Sequence, residues 1–529
     1  MVSSQKSIAS QIGVDVLQAG GNAVDAAVAT AFALAVVHPE AGNIGGGGFL
    51  LWRGRSGAAF YDFREQAPAG ASPTMFLVDG RYDPELHHRS ALAVGVPGTV
   101  AGLYRAWQDN GRRPWKELLR PAIALAHEGF AVSDGLARSL RGELERMKPY
   151  PAALAQFSRA GVPYEMGERL QQEDLAKTLG RIAELGPAGF YEGETASLIE
   201  QEMRARGGLV TREDLKRYTV YRREPLRGSY RGYEVLTAPP PSSGGTCLLQ
   251  SLNVLEGYEL RAMGFASSAY VHHVAEALRR AFADRARYLG DPGFVKDMPV
   301  ERLVSKEYAA SLRRTILDDK ASVSSPASFE WPAEGADTTH FSVVDGEGGA
   351  VAVTYTLEDA YGSRVVVPGA GFLLNNEMGD FNAGPGLTDA SGLIGTEPNL
   401  AAPGKRMLSN MTPTILLKDG SAALVVGAAG GRKIPGTVLQ IVLDTVDFGM
   451  NVQEAIDAPR VHHQWLPDAI FYEPFGLSSD TVEALRARGH HVLERPADEW
   501  SRAHGVAFRD AMFEGGSDRR KPDGAAIGR

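Results

Sequence analysis

Two runs of alternating residues, Thr338-Thr339-His340-Phe341-Ser342-Val343-Val344 and Ala350-Val351-Ala352-Val353-Thr354-Tyr355-Thr356, flank the Gly-rich stretch 345–349. Period-two patterning on both sides of turn residues specifies a β-hairpin. If Val344 faces Ala350 across a symmetric turn, counting outward sets Thr338 opposite Thr356. The side-chain period then puts both hydroxyls on one face. A threonine at the head of a strand, with a second hydroxyl across the ladder, is what a supported nucleophile requires. Taken alone, the pattern favours a plainer reading, in which threonine is simply a good strand former.

Around this hairpin, the 529 residues suffice for a large core, and length alone suggests three or four domains. A formal net charge of −9 and a pI near 5.8 argue against a nucleic-acid partner. Cys247 is the sole cysteine, so an intrachain disulfide and a cysteine-built metal site are excluded. It opens an apolar run with Leu248 and Leu249 and reads as a buried small residue. The first residues read as a helix around Ile8, Ile12 and Val16, capped by serine, with no signal-peptide pattern. Residues 23–37 are nearly all apolar, but 15 residues broken by Asp25 are too few to span a membrane. They read as a buried helix that His38-Pro39 ends.

Helical patterns dominate from about residue 97 to 330, as at 99–108 and 268–288, with short strand signals such as 233–236. Ala321-Ser322-Val323-Ser324-Ser325-Pro326 and Glu334-Gly335-Ala336-Asp337 read as an exposed, flexible linker. Beyond it the pattern turns β-rich, with a second hairpin through Asp419-Gly420 and then a helix over about 435–448. Residues 381–407 form a Gly/Pro-rich loop of the length that active-site lids often have.

Ordered blocks rich in glycine, proline and charged residues run along the chain. They include Gly20-Gly21-Asn22-Ala23-Val24-Asp25-Ala26-Ala27, His38-Pro39-Glu40-Ala41-Gly42, Gly45-Gly46-Gly47-Gly48-Phe49 and Phe63-Arg64-Glu65. Further on come Gly95-Val96-Pro97-Gly98-Thr99-Val100, Pro239-Pro240-Pro241-Ser242-Ser243-Gly244-Gly245 and Thr338-Thr339-His340. The series ends with Leu373-Leu374-Asn375-Asn376-Glu377-Met378, Ser409 with Pro413-Thr414, Gly430-Gly431, and Ala458-Pro459-Arg460.

Together these blocks resemble the γ-glutamyltranspeptidase family of N-terminal nucleophile hydrolases. The resemblance implies an α+β fold, a four-layer αββα sandwich built from both parts of a self-cleaved chain. It implies a cut between Asp337 and Thr338, giving a 1–337 segment and a 338–529 segment that stay together as a heterodimer in one intertwined domain. The substrates implied are glutathione and other γ-glutamyl amides, with amino acids or dipeptides as acceptors, and no cofactor, metal, nucleic acid or membrane span is called for. Relatives of this kind point to a periplasmic or secreted enzyme, with a cytoplasmic one as the alternative.

A threonine hydroxyl needs an adjacent base, and cleavage before Thr338 would supply one. A free α-amine titrates near 7.7–8.0, far below lysine, so much of it is unprotonated at pH 7–8. Thr356 is the natural hydrogen-bond partner of the Thr338 hydroxyl, and the resemblance agrees. Gly427-Ala428-Ala429-Gly430-Gly431 joins a strand to a helix N-terminus, where backbone N–H groups favour negative charge. A tight strand–helix turn would look the same, but the family's oxyanion donors fall on Gly430 and Gly431. By resemblance Arg64 clamps the donor carboxylate, Ser409 assists it, and Glu377 with Asp380 holds the ammonium. Without it, Arg64 could equally be a surface ion pair.

Two positions depart from the family pattern. Glu358 stands where asparagine is usual, and Asn410 where many bacterial relatives have a second serine. Glu358, Glu377 and Asp380 together would make an acidic pocket in which like charges raise one pKa. His462-His463 would point to opposite faces of a strand and has no matching ligand set, so no metal site is expected there. Two other readings remain: a glutaryl or cephalosporin acylase of the same fold, and an unprocessed binding homologue. The lid segment Leu387-Thr388-Asp389-Ala390-Ser391-Gly392 lacks an aromatic residue, which favours hydrolysis over transfer.

Overall fold

The computed structural model of the protein describes residues 1–325, 337–387 and 395–528. Two antiparallel sheets form its centre. In chain order their strands are β1 (Val2–Ser4), β2 (Gly47–Gly54), β3 (Gly57–Phe63), β4 (Tyr221–Arg223), β5 (Leu226–Tyr230) and β6 (Tyr233–Thr237). The downstream strands are β7 (Asp337–Val344), β8 (Ala350–Glu358), β9 (Thr414–Lys418), β10 (Ser421–Ala429), β11 (Arg502–Arg509), β12 (Met512–Ser517) and β13 (Ala525–Ile527). One sheet runs β4-β3-β2-β8-β7-β1-β13 and the other β5-β6-β9-β10-β11-β12.

The period-two alternation explains why the sheets stack. Phe49, Leu51, Phe60 and Ala352 meet Leu236, Ile415, Leu417 and Val425 between the sheets. Their alternate neighbours Leu50, Val353, Phe341 and Val343 face outward into a helix-covered core. Leu416, Leu424 and Val426 do the same on the other sheet. The helices used below are α1 (Ser7–Gln18), α2 (Ala23–Val37), α3 (Pro84–Arg89), α4 (Thr99–Asn110), α5 (Gly244–Leu255), α6 (Ser268–Tyr288) and α7 (Lys433–Val446). α1, α2 and α4 lie on the first sheet; α5 and α7 lie on the second, with α6 against α5. The result is the αββα sandwich, with a core in each of its three interlayer spaces.

α2 spans the expected residues and is buried along its whole length. Asn22 caps it, its side chain accepting from the amides of Val24 and Asp25, while Asp25 accepts from the Asn22 amide at 3.0 Å. Burying Val24, Phe32 and Leu34 contributes about 1.5–3 kcal/mol each relative to exposure. No helix among the described residues is long and apolar enough to cross a membrane.

Two expectations need correction. Residues 2–4 form strand β1 rather than a helical start, and Lys6, not a serine, holds the cap position of α1 without a side-chain bond. The strand draws its support from far along the chain, since Ser3 Oγ donates to Gly516 O at 2.6 Å. The linker expected from residue 321 is also not loose in its described part. Ala321 and Ser324 are buried, and the Ser324 amide donates to Asp468 Oδ2 at 2.7 Å.

Candidate active site

The β7–β8 hairpin has the expected register, Val344 opposite Ala350 and Thr338 opposite Thr356. Both hydroxyls lie on the inter-sheet face, and Thr338 Oγ1 donates to Thr356 Oγ1 at 3.3 Å. The ladder breaks register between Asp337 and Thr338, so the bond expected to be cut lies at a bulge. Thr356 is buried and fixed twice: its hydroxyl accepts from the Glu358 amide at 2.8 Å, and its carbonyl accepts from Asn43 Nδ2 at 2.8 Å. Glu358 reaches its position with φ at +78°, in the left-handed region that side chains seldom enter.

Further along the same face, His340 fills the space between the sheets, with Nδ1 2.8 Å from Thr354 Oγ1 and Nε2 3.0 Å from Ser342 Oγ. A Cβ on Gly427 would stand 2.4 Å from that ring, so a glycine lets β10 approach here. β10 then ends at Ala429, and Gly430 and Gly431, both at positive φ, turn the chain into α7. Gly431 lines the same small cavity as Thr338 and Thr356. The strand-to-helix junction expected of an oxyanion-binding turn is therefore present beside Thr338.

Glu358, Glu377, Asp380, Ser409 and Asn410 also line that cavity, with Met411 and Ile434. Arg64 is no surface residue: it is fully buried and pairs with both Glu377 and Asp380, with Glu65 Oε2 3.5 Å away. Although burial opposes its charge, these carboxylates hold the guanidinium protonated well beyond the ordinary arginine range. Burial raises Glu377 well above the usual carboxylate range against the pull of Arg64, and Glu65, Asp380 and Glu358 push it the same way. The raised carboxyl expected of the acidic pocket is present at Glu377, but burial is its chief cause and the like charges of Glu65, Asp380 and Glu358 only add to it. Ser409 is held by the Ser243 amide and hydroxyl, which donate to its carbonyl at 2.8 and 2.6 Å. Its own Oγ accepts from the Met411 amide at 3.1 Å.

Three contributors escaped the sequence reading. Glu65, next to Arg64 in sequence, is buried and raised to about 7 chiefly by desolvation. Asn375 Oδ1 accepts from the amides of Gly95 (2.8 Å) and Glu377 (3.0 Å), tying the acidic turn to the scaffold. His88 lies 3.1 Å from Glu358 Oε1, and nothing local in the sequence marks it. His462 and His463 are buried against Gln464 Oε1 (3.0 Å) and Asp468 Oδ1 (3.2 Å), and burial lowers them to about 3 and about 4. Burial likewise pushes the Cys247 thiol up to about 12. Of the lid segment, Leu387 is described and residues 388–392 lie outside the described residues.

A four-layer sandwich carrying a strand-leading threonine in its inter-sheet space is the fold of the N-terminal nucleophile hydrolases. The chain belongs to the gamma-glutamyltranspeptidase family, whose model matches residues 9–528. It is 47% identical over 534 residues to the glutathione hydrolase proenzyme of Escherichia coli strain K12, covering 100% of this chain and 91% of that one. Its structure superposes on a cephalosporin acylase from Bacillus halodurans with a TM-score of 0.88 at 30% identity, covering 99% and 94% of the two chains. It also matches Helicobacter pylori gamma-glutamyltranspeptidase at 47% identity and a TM-score of 0.59, covering 60% of this chain and 91% of that one.

Proposed function

We propose that the protein is a self-processing γ-glutamyl hydrolase and transferase acting on glutathione and related γ-glutamyl amides. The observation that carries the reading is the Thr338–Thr356 hydroxyl pair, set beside one buried arginine and a group of carboxylates. A zwitterionic amino-acid head group offers a carboxylate for Arg64 and an ammonium for Glu377 and Asp380. Arg64 pairs with Glu377 and Asp380 themselves, so a donor exchanges one set of ion pairs for another.

The steps use oxygen and nitrogen chemistry alone. In the precursor, Thr338 Oγ1 attacks the Asp337 carbonyl, the C–N bond breaks, and an ester joins the two residues. Water hydrolyses the ester, leaving a 1–337 fragment with a new carboxylate and a 338–529 fragment with a free α-amine. That amine takes the hydroxyl proton as Thr338 attacks the donor's γ-carbonyl. N–H groups at Gly430 and Gly431 receive the oxyanion, and the leaving amine departs with a proton. Water or an acceptor amine then releases the γ-glutamyl ester, regenerating Thr338.

A denaturing gel with N-terminal sequencing tests this directly. The expected result is two fragments, the smaller beginning Thr-Thr-His, and turnover of γ-glutamyl-p-nitroanilide. Thr338→Ala should stay one chain and be inactive, and Thr338→Ser should still be cut. A normally cleaved, active Thr338→Ala would falsify the mechanism; a wild-type chain that stays whole and inert would favour a binding role. The superposition on a cephalosporin acylase favours an acylase as the second reading. Faster turnover of glutaryl-p-nitroanilide than of the γ-glutamyl compound would select it.

A further inference from the structure

The acidic side of the site is backed by a residue that the chemistry above does not use. His88, in the last turn of α3, sets Nδ1 3.1 Å from Glu358 Oε1. α3 is firmly seated on the turn Glu377–Asp380. Asp83 caps it, accepting from the amides of Glu85 (2.9 Å) and Leu86 (3.2 Å). His87 Nε2 lies 3.1 Å from Met378 O, and Tyr82 Oη lies 3.0 Å from His87 Nδ1. Asn376 Nδ2 donates to His88 O at 3.0 Å. Gly379, in the middle of the acidic turn, leaves the space this pair occupies: a Cβ there would stand 2.5 Å from both Glu358 carboxylate oxygens and from His88 Nδ1. Glu358 itself is buried and joins two functions, its amide supporting Thr356 while its carboxylate meets His88.

We propose that His88 is a positioning residue that holds Glu358 as an acidic group of the acyl-donor site, beside Glu377 and Asp380. Through Glu358 the site selects donors carrying an α-ammonium beside their carboxylate over desamino donors, such as glutaryl amides, that carry the carboxylate alone. The inference rests on the reading of Arg64 as the carboxylate clamp.

The argument is one of charge. Arg64 is the cation paired with both Glu377 and Asp380. A donor carboxylate that engages Arg64 draws it from those acids, and an α-ammonium entering with it supplies the missing positive charge. A glutaryl group brings no such charge and leaves buried carboxylates poorly compensated. Glu358, fixed in the same cavity, adds to the gain for the first donor and to the penalty for the second. An amide at that position would keep the shape and lose both effects.

The test compares kcat/KM for γ-glutamyl-p-nitroanilide and glutaryl-p-nitroanilide in wild type, Glu358→Gln, His88→Ala and His88→Asn, each checked by gel for cleavage. Wild type is expected to prefer the γ-glutamyl donor. Glu358→Gln should narrow that preference by about tenfold, the size of one partly screened charge interaction, with most of the change in KM. His88→Ala should narrow it in the same sense, and His88→Asn, whose amide can occupy the Nδ1 position, should restore most of it. If Glu358→Gln stays uncut, the two His88 variants carry the comparison. An unchanged donor ratio in His88→Ala or in cleaved Glu358→Gln, or an equal loss of kcat on both donors, overturns the inference and leaves the γ-glutamyl reading standing. Wild type turning over the glutaryl donor as well as the γ-glutamyl one would overturn that reading itself.

Discussion

Arg64 and Glu65 are adjacent and both fully buried, yet the site treats them differently. Arg64 spreads its planar fork over Glu377 and Asp380, a geometry an ammonium cannot copy. Arg64→Lys should therefore raise the KM for γ-glutamyl-p-nitroanilide by about tenfold or more, with cleavage before Thr338 retained. Unchanged kinetics in a normally cleaved variant would remove Arg64 from the donor site. Neither carboxylate oxygen of Glu65 has a hydrogen-bond partner among the described residues, and burial raises the group to about 7. Between its ordinary value of 4.5 and about 7, the folded protein keeps a proton that the unfolded chain has lost. Stability therefore falls as pH rises through that window and levels off above it. Glu65→Gln removes the ionisation, so it should match wild type in melting temperature near pH 5 and exceed it at pH 8. A difference that stays constant with pH would place the cause elsewhere.

At the scale of the element, the turn Gly430-Gly431 makes the sharpest demand on sequence. Gly430 has φ at +132°, and a Cβ there would stand 2.5 Å from Ser501 Oγ and 2.8 Å from Ser501 Cα. Gly430→Ala must shift the turn that carries the proposed oxyanion donors. Steady-state kinetics on the γ-glutamyl anilide should show kcat falling by about 100-fold, with KM changed far less. A loss confined to KM would mean that the turn binds the donor without stabilising the oxyanion. Elements defined by local pattern were legible in the sequence: α2, α6 and both hairpins lie where periodicity and turn residues put them. The helix expected over 435–448 starts two residues earlier, at Lys433, because Pro435 is tolerated anywhere in the first turn. β1 was missed because three residues carry no period, and its pairing partners lie beyond residue 340 and at the far end of the chain. His88 was missed for the same reason, since its partner is 270 residues away. The positions of Thr338 and Thr356 could be read because a single hairpin fixes both, whereas the donor site draws Arg64, Glu358, the turn Glu377–Asp380 and Ser409 with Asn410 from four separate segments and needed the family likeness.

At the scale of the molecule, cleavage before Thr338 would leave two fragments interleaved in both sheets and in the helix layer on the second. The first sheet places downstream strands β8 and β7 between upstream strands β2 and β1, with β13 again beyond β1. The cut protein should therefore run as one particle and melt in one transition. The described end of the upstream fragment is held by the downstream one. The Ala321 amide donates to Arg488 O at 2.7 Å, and that of Ser324 to Asp468 Oδ2 at 2.7 Å. Asp468 also pairs with Arg279, which lies 3.1 Å from Glu276 Oε1, the atom that accepts from the Ser322 amide at 3.1 Å. His463 and Arg279 hold the Asp468 carboxyl below the usual range despite its burial, so this clamp stays ionised well into mild acid. Asp468→Asn keeps the shape but removes the charge, and should loosen the segment without touching the donor site. Hydrogen exchange at the Ser322 and Ser324 amides should then quicken by about tenfold, the equivalent of roughly 1.4 kcal/mol of local opening. Turnover of the cleaved variant should stay within about twofold of wild type, since no group in contact with the donor has changed. Exchange as slow as in wild type would show that the surrounding hydrogen bonds hold the segment without Asp468.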